Sequence, residues 1–206
     1  MGMYAVLWLL SDANAARLRA DPPLAWRLFA PDDSKMEAFE RARLTPRQPW
    51  WRRLFSSNAG AADVNTEPDP LVLVPPEGES CDLDKAWHAL HFLLTGGADD
   101  DGTSLSFLVS GGTEIVELDQ GYAPPRLLSS AEVRRVHAAL SELSDDALRA
   151  RFDGARMDAL DVYPRIWSRP VEEDDVVSYA MDNVALLRAV VDRAVAARCG
   201  LVVQLS

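Results

Sequence analysis

Histidine, cysteine and cationic side chains are scarce in this 206-residue chain, and each shortage removes a class of protein. Two cysteines, Cys81 and Cys199, cannot build a disulfide scaffold, and no CxxC pair is present for redox or zinc chemistry. Unpaired thiols fit a reducing, cytoplasmic setting. Long apolar runs are missing too. The longest stretches, Val6–Leu10 and Leu71–Val74, are strand-sized, far below the roughly 18 residues that a bilayer crossing takes. The apolar start has no basic segment before it and no small-residue cleavage pattern after it, so it reads as a first strand and not as a signal peptide. Lys plus Arg number 21 against 32 Asp plus Glu, a formal charge of −11, which repels nucleic-acid phosphates and anionic lipid. No P-loop, GxGxxG, HExxH or GxSxG pattern occurs, so motif alone nominates no cofactor, no metal and no catalytic serine.

What is present is ordinary globular material, 48% hydrophobic and 26% charged, enough for one domain with a sizeable core. Met3–Leu10 is apolar without strict alternation, the pattern of a strand buried on both faces. Ser11 caps a short helix that ends before Pro22 and Pro23. Residues 21–79 hold nine of the thirteen prolines and read as a poorly regular insertion. Short helices are expected there at Leu24–Phe29, Lys35–Arg43 and Trp50–Phe55, with a flexible loop over Ser56–Asp69; Leu71–Val74 reads as a strand or an extended linker.

Beyond Cys81 a helix is expected over Asp82–Leu94, closed by Thr95-Gly96-Gly97. Leu105–Val109 and Thr113–Leu118 read as strands around Ser110-Gly111-Gly112, as a hairpin or as parallel neighbours. Ser130 is the expected cap of a helix with the stripe Val133, Val136, Leu140. A short helix is expected at Ala147–Phe152, a long one over about Val176–Ala197, and a last strand at Leu201–Leu205. Strands at both ends with helices between predict an α+β domain, a mixed sheet packed against several helices.

The segment around Trp87 carries the most chemical information. At 100° per residue Leu83, Trp87, Leu90 and Leu94 form one apolar stripe, and Asp84, His88, His91 and Thr95 a second, about a quarter turn away. Two of the three histidines thus stand one turn apart. Asp84 is placed to orient His88 across an i,i+4 step, which makes Asp84, His88 and His91 candidates for acid–base work. The structural alternative is that both rings cap and pack against neighbouring loops. An HxxH spacing offers two metal ligands where three or four are needed.

Tyr122, Tyr163, Arg165 and Trp167 are the candidates for holding a ligand, by stacking and anion recognition; for the last three, closure of the domain between the last two helices is the favoured reading. Asp99-Asp100-Asp101-Gly102 lacks the alternating ligands of an EF-hand and reads as a solvated turn. Ser110-Gly111-Gly112 offers backbone N–H groups to an anion, or simply turns the chain. Glu172–Asp175 places negative charge at the start of the long helix, where the dipole favours it. Arg41, Arg43, Arg47, Arg52 and Arg53 interleave with Trp50, Trp51 and Phe55, more naturally as an amphipathic flap than as a nucleic-acid site in so acidic a chain.

Several of these pieces together resemble the DUF1877 or YfbM-like family of uncharacterised bacterial proteins. They are Met1-Gly2-Met3, the run Leu83–Gly96, Gly121-Tyr122 followed by Pro124, Val162-Tyr163-Pro164 with Trp167, Leu148–Asp153 and the terminal Gly200–Leu205. The resemblance covers about residues 1–12 and 80–206 and implies a compact α+β domain with no established activity. Two expectations of function follow from the residues. One is a protein-interaction or inhibitor-like module whose acidic surface docks a basic partner. The other is a small-molecule or hydrolytic pocket around His88, His91, Tyr122 and Tyr163.

Overall fold

The computed structural model describes residues 2–44, 71–118, 122–170 and 172–206. Its centre is a strand pair made from the two ends of the chain. β1 (Ala5–Leu10) runs antiparallel to β5 (Gly200–Leu205), from Ala5 opposite Leu205 to Leu10 opposite Gly200. β2 (Ser80–Asp82) adds to the outer side of β1, and β4 (Arg126–Leu128) to β5. The two-residue β3 (Thr113–Glu114) closes the far edge, giving the order β2-β1-β5-β4-β3. Every pairing among the described residues is antiparallel, so the expected mixed sheet is corrected: each strand starts opposite its neighbour's end, as Ala5 does opposite Leu205 and Leu10 opposite Gly200.

Both faces of this sheet are covered. Successive side chains alternate between two cores, which explains the apolar run of β1. Ala5, Leu7 and Leu9 join Leu201, Val203 and Leu128 on one face; Trp8 and Leu10 join Val202 and Leu127 on the other. Over the first face lie α4 (Trp87–Thr95), α5 (Ser130–Ser141) and the 21-residue α8 (Val176–Ala196), with α6 (Asp145–Arg151) and α7 (Gly154–Ala159) outside them. The expected face of α8 is buried at Met181, Val184, Leu187, Val191 and Ala194, and half-buried at Val177.

Over the second face lie α1 (Asp12–Ala20), a 3-10 turn (Pro22–Ala25), α2 (Trp26–Phe29) and α3 (Ser34–Leu44). Leu18, Leu24, Ala25 and Leu28 fill the space beneath Trp8 and Val202. The start of the Pro-rich stretch is therefore a layer of the core. Leu71–Val74 is extended chain without a strand partner, and Leu71 closes the same core. The helix expected at Trp50–Phe55, the loop at Ser56–Asp69 and the arginine–tryptophan cluster beyond Arg43 lie outside the described residues. Among the described residues no helix is long and apolar enough to cross a membrane.

Two expected strands are corrected. Ser104–Leu108 is a 3-10 helix, because Thr103 caps it by accepting the Leu105 N–H and the buried Arg126 guanidinium takes its terminal carbonyls. The strand expected over Thr113–Leu118 stops at Glu114, where Ile115 turns inward and Leu118 closes a turn onto its carbonyl. The cap of α5 is Ser129, one residue earlier than expected, in a complete capping box with Glu132. Ser130 instead donates its N–H and hydroxyl to Asp12, tying α5 to α1.

Gly200 sets the closest approach in the sheet. A Cβ there would sit 2.1 Å from the Leu128 carbonyl oxygen. Gly200→Ala is expected to cost about 2 kcal/mol or more, since β4 or β5 must shift and both cores with it. Chemical denaturation of the variant, read as a lower midpoint at unchanged slope, checks this.

Candidate functional site

Three features build α4. A 3-10 turn (Asp84–Ala86) leads into it, seven of its nine residues are buried, and Gly96 ends it in the left-handed conformation at φ 82°. Leu83, Trp87, Leu90 and Leu94 are buried as the stripe predicts, but Ala89, His91, Phe92 and Leu93 are buried as well. The helix is therefore enclosed almost all round, and a histidine on its second stripe must find partners inside the protein.

Backbone groups supply those partners. His88 donates from Nε2 to the Ala98 carbonyl at 2.9 Å and accepts the Tyr163 N–H at Nδ1, at 3.0 Å. With one nitrogen donating and the other accepting, the ring is held neutral in a single tautomer. Burial pushes its pKa below the ordinary value, against the hydrogen bond to Ala98, and neighbouring His91 adds in the same direction. Fully buried His91 pairs Nε2 with the Asp99 carbonyl at 2.9 Å, and its Nδ1 has no partner among the described residues. Trp87 stacks on the His88 ring with centroids 5.0 Å apart and on Tyr163 at 6.1 Å.

The expected bond from Asp84 to His88 is not made. Asp84 accepts the Tyr179 hydroxyl at 2.8 Å instead, and burial together with that bond raises the tyrosine pKa. The other candidates divide. Tyr163 is half-buried and its hydroxyl accepts the Met3 N–H at 2.8 Å, so it clamps the start of the chain. Trp167 is buried, donates to the Val162 carbonyl at 3.0 Å and stacks on Tyr179. Arg165 is exposed and pairs with Asp161. Tyr122 stands apart on the connection between β3 and β4, with 48% of its surface exposed. The structure thus joins Tyr163 to His88 through one backbone bond and leaves Tyr122 and Arg165 outside the cluster.

A surface cavity of about 420 Å³ lies elsewhere, between the Ser104–Leu108 turn, Gly111-Gly112 and α5. Behind its wall sits Arg126, buried, with the Glu114 and Asp100 carboxylates near enough to act on its charge. Its guanidinium donates to the carbonyls of Phe107, Leu108, Ser110 and Gly111, and burial lowers its pKa to about 10. On the same loop Asp101 accepts the Ser106 hydroxyl at 2.6 Å, the Thr103 hydroxyl at 2.7 Å and the Thr103 N–H at 2.9 Å. These bonds, the Ser106 one first, hold its pKa below the usual carboxylate value. Sequence reasoning missed Arg126 and this cavity. The one available signal was the Ser110-Gly111-Gly112 turn, whose partner lies about fifteen residues further on.

Fold and geometry together define a small α+β domain, an antiparallel sheet covered on both faces, with two of its three histidines tied to its own backbone. The family model described as a domain of unknown function, DUF1877, matches residues 1–204, and the chain belongs to that family. Among solved structures it is similar to YfbM from Escherichia coli, a protein of unknown function. That likeness has a TM-score of 0.59 at 16% identity, over 98% of this chain and 99% of that one, and concerns the fold. A comparison with curated proteins finds no match.

The depressed pKa of His88 gives stability a pH dependence of defined sign. An unfolded chain protonates this ring near its ordinary 6.5, whereas the folded protein resists until lower pH. The contribution is therefore complete above pH 6.5 and falls as the pH drops from there through the folded value. Asp101 and Asp158, also depressed, lose theirs only on the acid side of 3.8. Unfolding midpoints measured from pH 7.5 to 5 should decline in the wild type and flatten in His88→Gln. Equal slopes for the two proteins would contradict the assignment.

Proposed function

We propose that the protein is a non-catalytic interaction module whose acidic surface docks a basic segment of another protein. The observation that carries this reading is how the cations are used. Lys35 and Lys85 are the two lysines of the chain, so nearly all positive charge is guanidinium. Arg126 is buried and Arg188 half-buried, and both donate to backbone carbonyls, as the exposed Arg151 and Arg156 also do. Arg27 and Arg41 pair with Glu37, and Arg43 with Glu40. With these guanidinium groups engaged by carbonyls or paired, the carboxylates in excess dominate the charge offered to a partner.

One patch has the shape this role needs. Asp82 on edge strand β2 and Asp182 on α8 are exposed, and Leu186, also on α8, stands 48% exposed with its carbonyl 3.9 Å from the Cys81 Sγ. An apolar centre beside carboxylates, with the nearby Arg193 already paired to Glu79, fits a basic, partly apolar partner segment, with charge setting the rate of encounter. Both thiols are free, Cys81 half-buried and Cys199 buried, which supports a cytoplasmic setting for the docking. The hydrolytic alternative draws less support, since His88 has both ring nitrogens engaged by backbone.

Cross-linking in cells followed by calorimetry on the purified partner tests the proposal. The partner is expected to be basic, its affinity to fall with added salt, and Asp182→Lys/Leu186→Ser to weaken it by about tenfold or more without lowering the unfolding midpoint. Binding indifferent to both salt and the double substitution would overturn the reading. So would a turnover activity that vanishes in folded His88→Gln.

A further inference from the structure

The cavity beside α5 is independent of the acidic docking patch and is built differently. Its floor is apolar, from Phe107, Leu128 and Val136, each almost wholly buried. Its wall is the Gly111-Gly112 turn, both residues with positive φ (79° and 75°). In a trans peptide unit the C=O and N–H point in opposite directions. The carbonyls of Ser110 and Gly111 face Arg126, so the N–H groups of Gly111 and Gly112 face away from it. Neither N–H donates to a partner among the described residues.

A second pair of groups belongs to α5. Arg135 is exposed and has no partner among the described residues, and it lies one turn beyond Glu132, on the same side of the helix. Glu132 uses Oε2 to take the Ser129 N–H and hydroxyl, at 2.7 and 2.6 Å, and Oε1 remains. The cavity thus offers donors for a carboxylate, an acceptor for an ammonium group and an apolar bed. Asp100, held at Ser110 by a side-chain hydrogen bond, adds negative charge near the same rim.

We propose that this cavity binds a free α-amino acid with an apolar side chain, its carboxylate on Arg135 and the Gly111 and Gly112 amides, its ammonium on Glu132. A chain of charge −11 repels a plain anion as it approaches, whereas a zwitterion carries no net charge to repel. The volume suits a small molecule: about 420 Å³ falls within the range of roughly 300–1,000 Å³ usual for ligand pockets. The wall is already set by the Arg126 bonds, so binding need not order it.

The test uses the full chain labelled with 15N-glycine. Valine, leucine, methionine and phenylalanine are each titrated while the Gly111 and Gly112 amide resonances are followed. At least one should move both resonances saturably. The matching deaminated acid and decarboxylated amine should each bind about tenfold more weakly or worse, and Arg135→Gln, at an exposed position, should lose affinity by a similar factor while keeping its melting temperature. Absence of a saturable shift with all four amino acids overturns the proposal. Equal binding of the acid alone, or undiminished affinity in folded Arg135→Gln, overturns it equally.

Discussion

The pairing of β1 with β5 is the constraint on which the rest of the structure depends. Six residues from one end of the chain meet six from the other, in full register, at the middle of the sheet. Each strand contributes to two cores at once, so a slip of one residue would send Leu7, Leu9, Leu201 and Val203 to the face that belongs to Trp8, Leu10 and Val202. Antiparallel ends in the centre also dictate what else can join. β2 and β4 must add outside, and the helices must leave and return on the two faces. The contact of Gly200 with the Leu128 carbonyl and the Tyr163 clamp on Met3 both lock this pair from the side.

Short helices impose a second demand. Each helix ends with carbonyls that lack a partner within it, and a small domain with many helices has many such ends to satisfy. Guanidinium groups answer it repeatedly here. Arg151 takes the Leu93 and Leu94 carbonyls at the end of α4, Arg188 those of Leu140 and Leu143 at the end of α5, and Arg126 those of Phe107 and Leu108. A planar fork with several donors suits this task better than a lysine ammonium, which accords with a chain nearly free of lysine.

Legibility in the sequence tracked locality. β1, α8 and β5 were readable because one unbroken pattern decides each, and the buried stripe of α4 because helix geometry fixes it. The readings that failed depend on residues far away in the chain. Leu105–Val109 has the composition of a strand, and it becomes a 3-10 helix through an arginine at 126 that takes its carbonyls. Asp84 was assigned to His88 by helix spacing, and Tyr179, 95 residues distant, takes its carboxylate instead. Ser80–Asp82 is too short to announce itself and is a strand because β1 offers it an open edge. Of the candidate site, the positions of His88 and His91 were foreseeable, but their partners, the Ala98 and Asp99 carbonyls, belong to a loop that no periodicity describes.

That loop connects the two parts of the molecule that carry chemistry. His88 and His91 hold its beginning through Ala98 and Asp99, Asp101 braces its middle through Thr103 and Ser106, and Arg126 holds its end through Ser110 and Gly111. Four buried or hydrogen-bonded polar groups therefore position one stretch of backbone that contains little apolar anchorage of its own between Asp99 and Ser104. A neutral histidine is well suited to this work, since it presents a directed N–H to a carbonyl inside a core without burying a charge. On this account the histidines of α4 and the cavity beside α5 belong to one arrangement. The rings hold the near end of the Ala98–Gly112 segment in place, and its far end is the cavity wall.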